Sequence, residues 1–133
     1  MQKENTGKFL KNRHIGFISG PILFTAPHSK QLWRGGKKYN EEKRIHNREL
    51  YTTWIAIRLA QLTATKKDCP NSFMVWGKSA KSYEDDIDPN YLLAQDFESS
   101  QFHLSLHAWA AKNSELPLLH VDIHGKRNRK DNC

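Results

Sequence analysis

Leu116-Pro117-Leu118-Leu119-His120-Val121-Asp122-Ile123-His124-Gly125 is the stretch from which the fold can be read. A run of Leu, Val and Ile bounded by Pro and Gly predicts a strand covered on both faces, as in a mixed or parallel α/β sheet. In such sheets ligands and metals collect beyond the carboxyl ends of the strands. His124 falls at that end, and Gly125 lets the backbone turn away from it. Ile22-Leu23-Phe24-Thr25-Ala26-Pro27-His28 repeats the arrangement, an apolar strand followed by an exposed His. Two strands that each end in a His predict one site built from two edges of a single crevice.

Upstream of that pair, His14-Ile15-Gly16-Phe17-Ile18 is another run of strand length, split from Ile22 by Ser19-Gly20-Pro21. This punctuation predicts a hairpin or tight link. Gly35-Gly36 breaks any regular element, so residues 33–38 are expected to be a loop. A helix is expected from about Asn47 to about Ala64, with Asn47 as N-cap and Glu49 complementing the dipole in the first turn. Tyr51, Trp54, Ile55, Leu59 and Leu62 share one face of it and are the expected core stripe. Ser72–Trp76 is a further strand closed by Gly77. A second helix is expected over about 98–112, capped near Ser99 or Ser100 and burying Phe102, Leu106 and Trp109. The order β-β-α-β-α-β predicts a sheet covered by helices.

At 133 residues the chain is the size of one domain, and 38% hydrophobic with 26% charged residues fits a polar globular protein. No apolar stretch approaches the roughly 20 residues that span a bilayer, and the first residues lack the apolar core of a secretory signal. With Cys69 and Cys133 alone, no disulfide framework is expected and a cytoplasmic location is. The net charge of +7 is concentrated in residues 1–48, where 11 Lys and Arg face three Glu. Those charges are scattered instead of forming a helical stripe, which favours a solvated surface over a nucleic-acid interface. Residues 1–13 are expected to be a flexible N-terminus, residues 14–125 the folded domain and residues 126–133 a basic tail.

His28 and His124 can ligate zinc through neutral imidazole nitrogens, and a catalytic zinc site needs a third protein ligand. Glu49 is the candidate, standing at the start of the helix that follows the His28 loop. A surface carboxylate that merely offsets the helix dipole is the competing reading of Glu49. A strand-end His bonded to a backbone carbonyl is the competing reading of His124. Asp122 is a carboxylate inside an apolar strand, which is costly unless paired. Two residues before His124 it points to the same side and can orient the imidazole. His120 shares that side and is a rival ligand. His103 and His107, one helical turn apart, read as partly exposed helix residues.

Thr25-Ala26-Pro27-His28-Ser29, Glu49-Leu50-Tyr51-Thr52, Ile87-Asp88-Pro89-Asn90-Tyr91 and Val121-Asp122-Ile123-His124-Gly125 occur in the order found in N-formylglutamate amidohydrolase-like proteins, which the chain resembles over residues 15–128. That family is similar in fold to zinc carboxypeptidases. The resemblance therefore implies a three-layer α/β/α sandwich around a mixed sheet, incomplete here because the family continues beyond this point. It implies a zinc-dependent hydrolase cleaving an amide of a small acidic N-acyl amino acid. His28, Glu49 and His124 would hold the metal, Asp122 would be the catalytic carboxylate supporting His124, and Asn90 would contact substrate. Tyr91 stands where the family's amidases commonly have an Arg, which leaves Arg34 as the candidate clamp for the substrate carboxylate. Two other readings are a catalytically dead relative that binds a small molecule or a protein, and a basic nucleic-acid-binding protein.

Overall fold

The computed structural model describes residues 8–10, 14–30, 32–34, 44–66, 70–76 and 88–125. Within them the elements are β1 (Lys8–Leu10), β2 (His14–Ile18), β3 (Ile22–Ala26), β4 (Leu32–Arg34), β5 (Arg44–His46), α1 (Thr52–Leu62), β6 (Ser72–Trp76), a 3-10 turn (Ala94–Ser99), α2 (Gln101–Lys112) and β7 (Leu119–Asp122). Five strands form one mixed sheet in the order β1-β2-β6-β3-β7, and β4 pairs with β5 in a separate ribbon. β6, β3 and β7 run parallel, while β1 and β2 are antiparallel to their neighbours.

Side-chain alternation along the central strands sorts the core into two halves. Phe24, Ala26, Phe73 and Val75 face α1 and pack on its Ala56 and Ala60. Leu23 and Met74 face the other way and pack, with Ile18, on Phe102 and Trp109 of α2. The result is a helix on each side of a mixed sheet, a three-layer α/β/α arrangement. The capping expected of α2 is present: Ser100 is its N-cap and its hydroxyl accepts from the His103 amide. Among the described residues no helix is long and apolar enough to cross a membrane.

Several expectations give way to long-range contacts. β2 and β3 are not a hairpin, because β6 lies between them. Their Ser19–Pro21 link arches over the first residue of β6 instead. The fully buried Ser72 hydroxyl accepts from the amides of Ser19 (2.9 Å) and Gly20 (3.2 Å) and donates to the Gly20 carbonyl (3.0 Å). That hydroxyl supplies the partners a hairpin ladder would have given. The same Gly20 carbonyl accepts from Trp109 Nε1 at 2.8 Å, which ties α2 to the arch.

Helix α1 starts at Thr52, not Asn47, so Glu49 lies in the loop before it. Tyr51, its N-cap residue, has φ 66° and makes no side-chain cap. The expected core stripe is turned outward: Tyr51 is 77%, Trp54 67% and Leu62 64% exposed, and the buried positions are Thr52, Ala56 and Ala60. Of the expected stripe, Leu59 packs against the core cluster. Small residues let the helix axis approach the sheet closely, and that orientation leaves the large side chains outside.

β7 is not covered on both faces. Among the described residues it pairs with β3 alone, and Leu119 is 54% exposed. The strands buried on both faces are β3 and β6. Lys8–Leu10, expected to be loose, form an edge strand on β2, and Trp33 and Arg34, expected in a loop, belong to β4. Residues 1–7, 35–43, 77–87 and 126–133 lie outside the described residues, and with them the basic tail, Gly77 and Ile87.

Candidate metal centre

Parallel pairing places the carboxyl ends of β3 and β7 side by side, with Thr25 opposite Asp122. The chain leaves β3 through Pro27 and His28, and leaves β7 through Ile123, His124 and Gly125. Beyond the ends of the two strands the Glu49 amide donates to the His28 carbonyl at 2.9 Å, which draws the loop before α1 over the same spot. Thr52 Oγ1 donates to the Glu49 carbonyl at 3.1 Å and fixes that loop to the first turn of α1. The Gly125 amide donates to Glu49 Oε2 at 2.9 Å. A Cβ at Gly125 would lie 3.1 Å from Glu49 Cβ, a tight contact that any larger residue would have to relieve by displacing Glu49.

These contacts gather His28, Glu49 and His124. His28 Nδ1 lies 3.2 Å from Glu49 Oε1 and 3.1 Å from His124 Nδ1, and His124 Nδ1 lies 3.5 Å from Glu49 Oε2. His28 is buried (3% exposed) where an exposed residue was expected, because the Glu49 loop covers it. Glu49 is tucked under the sheet's end and not displayed on a helix surface.

A fourth residue was missed. His46, the last residue of β5, places Nε2 3.2 Å from Glu49 Oε1, and its ring centroid is 4.0 Å from that of His28. His28, His46 and Glu49 each offer a ligand atom within 4.8 Å of the others and can hold a metal ion. The signal was present as His46-Asn47-Arg48-Glu49, a His-x-x-Glu spacing. Starting a helix at Asn47 hid it.

The far sides of the rings show why the near sides suit a cation. His28 Nε2 is 2.8 Å from Asp88 Oδ1, on a carboxylate with no solvent exposure. His124 Nε2 is 2.8 Å from Asp122 Oδ2. A carboxylate only accepts, so each Nε2 carries the proton and each neutral ring turns the Nδ1 lone pair inward. Two inward lone pairs and an ionised carboxylate repel one another unless a proton or a cation lies between them. Nitrogens bound to one zinc at about 2.0–2.1 Å and tetrahedral angles stand roughly 3.3 Å apart. The separations of 3.1, 3.2 and 3.5 Å lie near that value, the last two to different oxygens of Glu49, and the group that can hold a metal ion is His28, His46 and Glu49. Asp88 was the other residue whose part in the site was not foreseen.

The same carboxylates favour a proton on His28. Burial disfavours the charged His28 ring, but Asp88 and Glu49 outweigh it and raise its pKa above 6.5. Burial also opposes ionisation of Glu49, and the Gly125 amide with His28, His46 and His124 outweighs it, lowering the pKa below 4.5. His103 and His120 move the other way: burial lowers both, with His107 adding to the shift of His103 and Asp122 opposing that of His120. In the metal-free protein His28 should therefore titrate above 6.5, and His103 and His120 below it, in proton NMR of the imidazole resonances. The shifts of His28 and Glu49 both make the stability of the fold depend on pH. The His28 contribution is full below 6.5 and is lost as pH rises through its folded value. The Glu49 contribution is full above 4.5 and is lost as pH falls through its folded value. A His28 midpoint below 6.5 would contradict the pairing with Asp88.

The other expected residues are placed as follows. Both Asp122 oxygens are engaged, Oδ2 with His124 and Oδ1 with the Thr25 hydroxyl, so Asp122 orients His124. His120, the rival ligand, bonds Thr25 Oγ1 at 2.8 Å. Asn90 is exposed and is linked to the cluster by its backbone amide, which donates to Asp88 Oδ1 at 2.9 Å. Arg34 ends β4, and its side chain lies outside the described residues. His103 sits on α2 bonded to Ser100 and edge-on to Phe97. No family model, no curated protein and no solved structure matches this chain.

Proposed function

We propose that the protein is a zinc-dependent hydrolase of the N-formylglutamate amidohydrolase type, cleaving the amide of a small acidic N-acyl amino acid. The observation that carries this reading is the convergence of His28 Nδ1, His124 Nδ1 and the Glu49 carboxylate on one point, each ring fixed from behind by a carboxylate. A bound zinc there would polarise the scissile carbonyl and supply a water of lowered pKa. Of the chain's own groups, His28, Glu49 and His124 hold the ion, while Asp88 and Asp122 keep the two imidazoles neutral and aimed. Arg34 and Asn90 are the proposed contacts for substrate. Four motifs in family order support the choice of substrate class.

One observation favours a second reading. His46 belongs with His28 and Glu49 to the group that can hold a metal ion, and if His124, 3.1 Å from His28, also ligates, four donors would fill a tetrahedral zinc and close it to substrate. That arrangement suits a catalytically inactive, metal-binding relative. Two measurements separate the readings. The purified protein is expected to hold one zinc per chain by metal analysis. Formate release from N-formyl amino acids is expected to stop with a chelator and return with zinc. Bound zinc without any hydrolysis selects the inactive relative, and absence of zinc refutes both.

A further inference from the structure

The hydrogen-bond chain behind His124 does not stop at Asp122. Thr25 lies in the interior strand β3, with no solvent exposure, opposite Asp122 in the parallel register. Its hydroxyl donates to Asp122 Oδ1 and lies 2.8 Å from His120 Nε2. The direction of each link is fixed by what the groups can do. Asp122 only accepts, so the single Thr25 proton goes to Oδ1. His120 Nε2 must then be the donor to Thr25 Oγ1. On the other side Asp122 Oδ2 accepts from His124 Nε2, which leaves Nδ1 of His124 bare and facing His28 and Glu49.

We infer that Thr25 is a positioning residue of the metal centre: its buried hydroxyl, held by His120, locks the Asp122 carboxylate and so fixes the tautomer of His124. The inference rests on the metal-site reading above, and it adds a residue that touches neither ion nor substrate. The Asp122 carboxylate is 30% exposed, and it would be free to rotate off His124 if one oxygen were not anchored. Loss of the anchor lets the proton of His124 move to Nδ1, where it blocks the lone pair that faces the cluster.

The test compares Thr25→Val, Thr25→Ala and Thr25→Ser in the full chain. Zinc affinity is measured by chelator competition, and the His124 tautomer by nitrogen-15 NMR of the metal-free protein. Wild type and Thr25→Ser are expected to keep the proton on Nε2. Thr25→Val and Thr25→Ala are expected to shift it toward Nδ1 and to bind zinc about 10- to 100-fold more weakly, the range for a group supporting a ligand. A general packing defect would weaken binding without moving the tautomer, and Thr25→Ser would not rescue it. Unchanged affinity and tautomer in either hydroxyl-free variant overturns the inference. So does an Nδ1 proton on His124 of the wild type, which can be read even if both variants fail to fold. A wild type that keeps the expected tautomer but takes up no zinc sinks the metal reading alone.

Discussion

Glu49→Gln is expected to lower zinc affinity by more than about 100-fold, beyond the 10- to 100-fold typical of groups that only support a ligand. Glutamine keeps the shape of the side chain and can still accept from the Gly125 amide. What it removes is the negative charge that faces three imidazoles, with Oε1 at 3.2 Å from both His28 Nδ1 and His46 Nε2 and Oε2 at 3.5 Å from His124 Nδ1. Losing that charge weakens the electrostatic attraction of the site for a divalent ion. The effect also shows in stability, since a ligand that binds only the folded state stabilises it by mass action. Zinc at 100 times its dissociation constant gives wild type about 2.7 kcal/mol. For a domain of this size that is roughly 8–10 °C in Tm. Glu49→Gln should show almost none of this rise at the same zinc concentration, while His107→Ala, a substitution on α2, should show all of it. Equal zinc-induced shifts in wild type and Glu49→Gln would remove Glu49 from the site.

Ala56→Leu is expected to destabilise the protein by about 1–3 kcal/mol, the usual cost of forcing extra methylenes into a packed core. Trp54→Ala is expected to cost under about 1 kcal/mol. The contrast tests which face of α1 meets the sheet. Ala56 has no exposed surface and packs among Phe24, Phe73 and Val75, whereas Trp54 is 67% exposed. A helix oriented by its large apolar residues would reverse the result, since truncating a buried tryptophan costs about 3–5 kcal/mol. Urea denaturation of the two variants decides it, and a Trp54→Ala loss larger than that of Ala56→Leu would mean that α1 packs the other way round.

Local pattern was enough for the elements made by their own residues. The apolar runs at 22–26 and 72–76 are strands, and 101–112 is a helix capped by Ser100, because alternation, helical spacing and a capping hydroxyl are encoded within a few residues. Placing one His just beyond each of two strands, and a carboxylate two residues before the second, was likewise a matter of spacing. Pairing partners were not legible, since they depend on surfaces that meet only after the chain has collapsed. β6 enters between β2 and β3 because it is apolar on both faces and because Ser72 can satisfy the arch above it. Helical spacing put Trp54 and Leu62 on one stripe but could not say whether the stripe or the alanines opposite would face the sheet. His46 and Asp88 joined the site for the same reason. His46, 18 positions from His28, reaches it beside the loop that the Glu49 amide stitches to the His28 carbonyl, and Asp88, 60 positions away, meets the other side of the ring from a separate segment. Sequence thus set the chemistry available at the strand ends, and tertiary packing chose which groups share a point in space, because convergence depends on pairing and close approach that no local propensity contains.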